Sequence, residues 1–233
     1  MLNWTTALWL VAVVGMVLGG AVIVDLEERE KFSRLVASNL HAASEQLSLN
    51  AEAAVAPCRV LMHGGDDITA LADAFLAVES LSTGIVERKV EGWLVRLGHL
   101  TGLASPDFSI GPGQVRLSTA AAALHWGTAH NWPVSPLSKR ELSEQLLSVC
   151  GSRLMIRLIL EMLIQKDEKS TTPLDRRSIA SLARLYNGQA TTSGDEGTVA
   201  NHIYRELIYH VFQDLRFRRR KAHIFGAKQA DRS

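Results

Sequence analysis

The sequence predicts an all-α (mainly α) fold, with a helical domain behind an N-terminal transmembrane helix. Two observations support this prediction. Through most of the chain, apolar residues recur with the period of about 3.6 residues that marks one face of a helix, and alternating strand patterns are scarce. The stretch from Ala7 to Val24 contains no charged residue, and about 18 such residues approach the length that crosses the hydrocarbon core of a bilayer.

Residues 1–25 are interpreted as an uncleaved, single-pass membrane anchor. Trp4 and Trp9 lie near the N-terminal end of the apolar run, where tryptophan favours the membrane interface. A cleaved signal peptide is less favoured, because no Lys or Arg precedes the run and Gly19-Gly20-Ala21 is a poor cleavage site. The other alternative, a buried core helix, would be unusually uniform in composition. Charges of both signs follow the span, so the positive-inside rule leaves its orientation open.

Three further parts follow the anchor. Residues 26–57 are expected to form a helical stalk or the first helix of the domain, residues 58–217 the domain itself, and residues 218–233 a basic tail. The formal net charge of +1 gives no global attraction to nucleic acid. The arginine-rich run at 216–221 is interpreted as a solvated tail, or as one that holds anionic headgroups near a bilayer.

Cys58 and Cys150 are the only cysteines in the chain. If the domain is exported they could pair in a disulfide across a long loop, and the alternative is two separate buried thiols. No Cys or carboxylate recurs near His125 and His130 at the spacing of metal ligands, so neither a metal site nor a cofactor is expected. Trp126 and Trp132 lie close to these histidines in sequence, and they suit either sugar stacking or, more commonly, core packing.

Several helices are expected in the domain. Asp66 or Asp67 caps a helix that runs to Glu79, and Asp175 or Ser178 starts one that ends at Asn187-Gly188. Residues 142–165 are apolar on nearly every side, which predicts a single, central buried helix. Residues 197–217 form the last helix.

Glu79 lies at a predicted helix C-terminus beside an apolar stripe. Partial burial and the negative end of the helix dipole both disfavour its ionisation, so we expect a raised pKa. A carboxyl group that stays protonated near neutral pH is what general-acid catalysis on a glycosidic oxygen requires. The alternative is a solvated glutamate in a last helical turn.

Gly111-Pro112-Gly113 is a turn that ordinary helix cannot accommodate. Gln114 follows it directly and is expected to lie where the turn enters a helix. There its amide could present two donors and one acceptor to a polar ligand. The alternative is a glutamine that caps its own backbone.

Three motifs follow one another in the domain. They are Glu79-Ser80, then Gly111-Pro112-Gly113-Gln114-Val115 completed by Thr119-Ala120, then Leu185-Tyr186-Asn187-Gly188 followed by Thr198 and Tyr204. In this order they resemble the lysozyme-like lytic transglycosylases and the related goose-type lysozymes. Those proteins show E-S, G-x-x-Q-[IV]-x-x-x-T-A, Y-N-x-G or a close variant, and a later T-x-x-Y-like element. The resemblance covers about residues 68–212.

This resemblance implies a lysozyme-like domain that cleaves peptidoglycan glycan strands from outside the cytoplasm. Glu79 would be the single acid/base and would protonate the oxygen between N-acetylmuramic acid and N-acetylglucosamine. The substrate's own N-acetyl group and 6-hydroxyl would complete the reaction and leave a 1,6-anhydromuramoyl end. The resemblance also implies five substrate-binding residues. Ser80 would orient the carboxylate or the substrate, and Gln114 would contact sugar substituents. Tyr186 and Asn187 would form the cleft floor, and Tyr204 would approach the carboxylate.

Two alternatives remain open at this point. A catalytically inactive lysozyme-like module could act in glycan binding or in assembly with other envelope proteins, and a membrane scaffold facing the cytoplasm could use the basic tail. The segment between Glu79 and Gly111 is longer than is usual for the family. It contains a predicted amphipathic helix, on which charged residues such as Glu87 and Glu91 oppose apolar residues such as Trp93.

Overall fold

The computed structural model describes residues 36, 39–61, 66–82, 91–93, 95, 109–166, 174–187 and 199–230. Over these residues the protein is mostly helical, which confirms the all-α prediction. The helices are α1 (Leu40–Val55), a 3₁₀ helix (Ala56–Leu61), α2 (Asp66–Ser82), α3 (Leu117–Ala129), α4 (Lys139–Leu146), α5 (Val149–Lys166), α6 (Arg176–Tyr186) and α7 (Val199–Ala230). Residues 91–93 are helical as well.

The predicted anchor at residues 1–25 lies outside the described residues. Within the described part of the chain, no helix is both long enough and apolar enough to cross a membrane.

Helix α5 is the central helix of the domain, as its all-round apolar character predicts. Its residues from Met155 to Leu160 are all buried, and α2, α3, α6 and α7 add buried apolar side chains to the same core. The prediction of one helix over 142–165 is wrong, because the chain turns at Leu147–Ser148 between α4 and α5. Gly151 permits this turn, since a Cβ there would lie 2.1 Å from the carbonyl oxygen of Gln145.

Helix α1 packs against the later helices of the domain. Its buried face includes Leu47 and Val55 and packs in the common core. It runs antiparallel to α7. Ser44 Oγ donates to Asp214 Oδ2 at 3.3 Å, and Ser48, one turn later on α1, donates to the carbonyl oxygen of Val211, one turn earlier on α7. Of the two interpretations of residues 26–57, the described part therefore fits a helix of the domain.

Helix α7 continues to Ala230, past the expected end of the last helix at Phe217. The arginines of its distal part contact acidic residues on α1 and α2. Arg216 lies 2.7 Å from Asp67, Arg218 lies 3.6 Å from Glu45, and Arg219 donates to Asp73. The start of the expected solvated tail is thus a helix that pairs with the domain.

Asp73 is the buried centre of an ion-pair network between helices. Its carboxylate is inaccessible to solvent and accepts hydrogen bonds from Arg153 on α5, at 2.8 Å from Nη2, and from Arg219 on α7. A buried carboxylate is tolerated only when it is paired and hydrogen-bonded. The network therefore fixes α2 against α5 and α7 in one arrangement.

A disulfide joins Cys58, in the 3₁₀ helix, to Cys150 in the first turn of α5. The two residues are 92 positions apart in sequence, and their Cα atoms lie 5.3 Å apart. The bond closes a loop that contains α2, α3 and α4, whereas α6 and α7 lie outside it.

Candidate active site

Glu79 lies in the last turn of α2 and is 6% exposed. The helix is rich in alanine, and every residue from Ala70 to Val78 is buried, so neighbouring elements approach it closely on all sides. The carboxylate is reached by the hydroxyl of Tyr204 from α7, which donates a hydrogen bond to Glu79 Oε1. The structure therefore contains a buried carboxyl group with a dedicated phenolic donor.

The side chain of Asn187, the C-cap residue of α6, lies beside the Tyr204 hydroxyl and acts to lower the pKa of that phenol. Burial raises the pKa of Tyr204 well above its usual value, and the negative charge of Glu79 and the hydrogen bond to it act in the same direction. The phenol therefore keeps its proton throughout the neutral range and acts as a donor to the carboxylate.

Tyr186, in the last turn of α6, links this group to the turn at Gly111–Gln114. Its hydroxyl donates to Gly113 O at 2.6 Å, and its ring packs against that of Phe75 on α2, with 5.0 Å between the ring centroids. Burial, followed by the charge of Glu79, raises the pKa of Tyr186 well above its usual value. The side chain of Tyr186 therefore lies within the electrostatic field of the carboxylate and also fixes the turn.

The turn connects two short antiparallel strands, β1 (Ser109–Ile110) and β2 (Val115–Arg116). Strand β2 follows Gln114 directly, and α3 begins only at Leu117. The expectation that Gln114 leads directly into a helix is therefore wrong. Alternation cannot be recognised in strands of two residues, and the apolar Val115 and Leu117 fit either period.

Two glycines make the turn possible. Gly111 has φ +72°, and a Cβ there would lie 1.8 Å from Leu146 O. A Cβ on Gly113 would lie 2.9 Å from Ile156 Cδ1. The turn thus packs directly against the α4–α5 connection and against α5, which a larger residue at either position would prevent.

Gln114 has φ +47°, a left-handed conformation that is uncommon for a residue with a side chain. Its Nε2 donates to Gly111 O at 2.9 Å and to Glu91 Oε1 at 3.2 Å. Glu91 is buried and also accepts from Gly111 N through Oε2 at 3.1 Å. The side-chain amide therefore caps its own turn, as one of the two sequence interpretations stated, and a carboxylate helps to hold it there.

Ser80 follows Glu79 at the end of α2 and is partly buried. Its hydroxyl donates to the carbonyl oxygen of Ala77, one turn earlier in the same helix, at 2.9 Å. This bond points the hydroxyl along α2.

Of the six predicted site residues, contacts link Glu79, Tyr204 and Asn187, and Tyr186 connects them to the turn that carries Gln114. Sequence reasoning missed Glu91, which it placed among the charged residues of an amphipathic helix. Its spacing from Gly111 and Gln114 carries no local signal, because their contact depends on how distant segments fold together.

The two tryptophans with a possible role in sugar stacking pack between α3 and α5. Trp126 Nε1 donates to Gln165 Oε1 at 2.8 Å, and its ring stacks on that of His130. The Arg157 guanidinium lies 4.9 Å from the ring centroid of Trp132. Both rings are partly buried and contact other side chains of the domain, which favours the packing interpretation.

Among the described residues, no three His, Cys, Asp or Glu side chains are grouped so that they could hold a metal ion. No protein-family model, curated protein or solved structure matches this chain significantly.

Proposed function

We propose that this protein is a membrane-anchored enzyme that cleaves the glycan strands of peptidoglycan, and that it acts as a lytic transglycosylase with Glu79 as its acid and base. The observation that carries the proposal is the buried Glu79 carboxyl group at the end of α2, to which Tyr204 donates a hydrogen bond. The order of the three motifs in the sequence, with its resemblance to these enzymes, supplies the reaction class.

The reaction requires one carboxyl group in two protonation states. Protonated Glu79 donates its proton to the oxygen between N-acetylmuramic acid and N-acetylglucosamine as the glycosidic bond breaks. The substrate's N-acetyl carbonyl oxygen stabilises the positive charge that develops at C1. The Glu79 carboxylate then takes the proton of the 6-hydroxyl as that oxygen attacks C1, which yields a 1,6-anhydro ring and restores the acid.

The surroundings of Glu79 suit this exchange of a proton, because burial and the Tyr204 hydrogen bond have opposite effects on the carboxylate form. Burial disfavours the carboxylate and so favours proton donation, whereas the Tyr204 hydrogen bond stabilises the carboxylate once the proton has left. Tyr204 already contacts the carboxylate in the structure, so this stabilisation needs no reorganisation during the reaction.

The proposal includes a location outside the cytoplasm, where assembled peptidoglycan occurs. The apolar segment Ala7–Val24 would anchor the chain in the inner membrane. The Cys58–Cys150 disulfide supports this location, since disulfides persist in oxidising compartments such as the bacterial periplasm.

The test is digestion of purified peptidoglycan sacculi by the full chain in detergent, with the soluble products identified by mass spectrometry. We expect 1,6-anhydromuropeptides from the parent protein and none from Glu79→Gln. Glu144→Gln, which changes an exposed glutamate on α4, is the matched control and should retain activity. Full activity in Glu79→Gln would overturn the assignment of the acid, and products with reducing ends would indicate a muramidase that uses water.

A folded parent protein that binds sacculi but releases no fragments would support the alternative, an inactive lysozyme-like module in glycan binding or envelope assembly. Circular dichroism of the parent and of Glu79→Gln shows whether a loss of activity is a loss of fold.

A further inference from the structure

Glu91 belongs to the long segment between Glu79 and Gly111, and it contacts the turn that carries Gln114. We propose that Glu91 is a positioning residue: it fixes the side chain of Gln114 so that the amide offers only its carbonyl oxygen to the glycan. The inference rests on the proposed function for the identity of the ligand, and it adds a residue and a direction of hydrogen bonding to that site.

The orientation of the Gln114 amide follows from the chemistry of its neighbours. A backbone carbonyl oxygen has no proton to donate, so the group of Gln114 that lies 2.9 Å from Gly111 O must be the NH₂. The same nitrogen lies 3.2 Å from Glu91 Oε1. An NH₂ group has two protons, and these two acceptors use both of them.

The carbonyl oxygen Oε1 of Gln114 is therefore the polar atom that remains for a ligand. No described residue donates a hydrogen bond to it. The sequence pattern suggested that Gln114 presents two donors and one acceptor to a ligand. In the structure both donors are already used, so only the acceptor is left. Such an oxygen selects a donor on the ligand, and the N–H of an N-acetyl group and the hydroxyls of a glycan are donors of this kind.

Glu91 makes this arrangement rigid, because its two carboxylate oxygens bind two different parts of the turn. Oε1 accepts from the Gln114 side chain and Oε2 accepts from Gly111 N. Gly111 and Gln114 are the first and last residues of the turn, and both have positive φ. A carboxylate that binds both ends of a strained turn holds its conformation as well as the side chain.

The substitution Glu91→Gln keeps the shape of the residue but leaves one oxygen for two donors. Either Gly111 N or the Gln114 amide then faces an NH₂ group instead of an acceptor. The Gln114 side chain loses its fixed orientation, and affinity for the glycan falls.

The first measurement follows the side-chain amide of Gln114 by two-dimensional ¹H–¹⁵N NMR of the full chain in detergent. Its two proton signals are assigned by their loss in Gln114→Met, and in the parent they should differ from those of free glutamine amides. In Glu91→Gln they should move to the free-amide position, whereas Glu144→Gln should leave them unchanged. Unchanged signals in Glu91→Gln would show that Glu91 does not fix the Gln114 amide. This result would overturn the positioning role whether or not the protein cleaves peptidoglycan.

The second measurement is a double-mutant cycle on binding to purified sacculi, with Glu79→Gln present in every variant so that no glycan is cut. We expect Glu91→Gln and Gln114→Met each to weaken binding by up to about 10-fold, the effect of one lost hydrogen bond between neutral groups. If Glu91 acts through Gln114, the two changes together should weaken binding no further than the larger single effect.

Additive losses would show that Glu91 supports only the fold, and they would overturn the positioning role. Absence of sacculus binding in the Glu79→Gln protein would overturn the assignment of a glycan donor to the Gln114 oxygen. The proposed function fails separately, when the parent protein releases no anhydromuropeptides.

Discussion

The hydroxyl of Tyr204 donates a hydrogen bond directly to the Glu79 carboxylate. Its removal in Tyr204→Phe leaves a buried carboxylate without this donor. Because a hydrogen bond to a charged group contributes about 1.5–3 kcal/mol, we expect kcat/KM on sacculi to fall about 10–100-fold.

The matched control for this prediction is Tyr209→Phe, which removes a hydroxyl from the same helix. Release of anhydromuropeptides over time gives both rates. Equal activity in the two variants would mean that the Tyr204 hydroxyl does not serve the reaction.

The two site tyrosines also predict how stability depends on alkaline pH. Burial and Glu79 raise the pKa of Tyr186 and Tyr204 in the folded state, whereas both ionise near pH 10 when unfolded. Their stabilising effect is thus complete below pH 10 and is lost as the pH rises toward the folded-state values. We expect the free energy of unfolding to fall by about 1.4 kcal/mol per pH unit for each tyrosine.

Urea denaturation at pH 9, 10 and 11 measures this slope. The Tyr186→Phe/Tyr204→Phe protein should show a smaller slope than the parent. A slope that is the same in both proteins would assign the alkaline loss to other groups.

Single residues of the site were predictable to different degrees. Glu79, Tyr186, Asn187 and Tyr204 follow from motifs, and the structure links them by contacts. The orientation of Gln114 does not follow, because it depends on the left-handed backbone at φ +47° and on a carboxylate from a distant segment. Patterns that describe one helix face cannot reveal a partner that approaches from elsewhere in the fold.

Between elements, the buried pair of Asp73 and Arg153 joins α2 to α5. The substitution Asp73→Asn removes the charge and leaves the buried guanidinium of Arg153 without its counter-ion. We expect the free energy of unfolding to fall by about 3–5 kcal/mol, measured from the midpoint of urea denaturation.

The double variant Asp73→Leu/Arg153→Met tests the reason for this loss. It replaces both fully buried charges by apolar groups and should recover much of the stability, because Arg219, the other partner of Asp73, is 23% exposed and its charge reaches solvent. A double variant less stable than Asp73→Asn would show that the pair itself, rather than the uncompensated charge, determines stability.

The same elements show where sequence patterns stop being informative. The apolar run at 142–165 contains no Pro, and its one glycine, Gly151, lies after the break, so the pattern itself does not mark the end of α4. The arginines at 216–220 resemble a free tail because composition does not show the acids they contact. Asp67, Asp73 and Glu45 lie about 140 to 175 positions earlier in the chain and approach only when α7 packs on α1 and α2.

At the scale of the molecule, the disulfide between Cys58 and Cys150 restricts the unfolded chain. For two residues 92 positions apart, the chain-entropy model gives about 4–5 kcal/mol of stabilisation. We expect the Cys58→Ser/Cys150→Ser protein to melt well below the oxidised parent, and the reduced parent to behave similarly. Thermal unfolding followed by circular dichroism measures all three, and identical melting temperatures would contradict the prediction.

The hydrogen bond from Tyr204 to Glu79 joins residues 125 positions apart, so the order of synthesis affects when the site exists. At about 5–20 residues per second, a ribosome adds Tyr204 roughly 6–25 s after Glu79. During that interval the covalent loop from Cys58 to Cys150 can already close, while the carboxyl group still lacks its phenolic partner. A nascent chain therefore carries the acid long before it carries the complete site, and only the emergence of α7 finishes it.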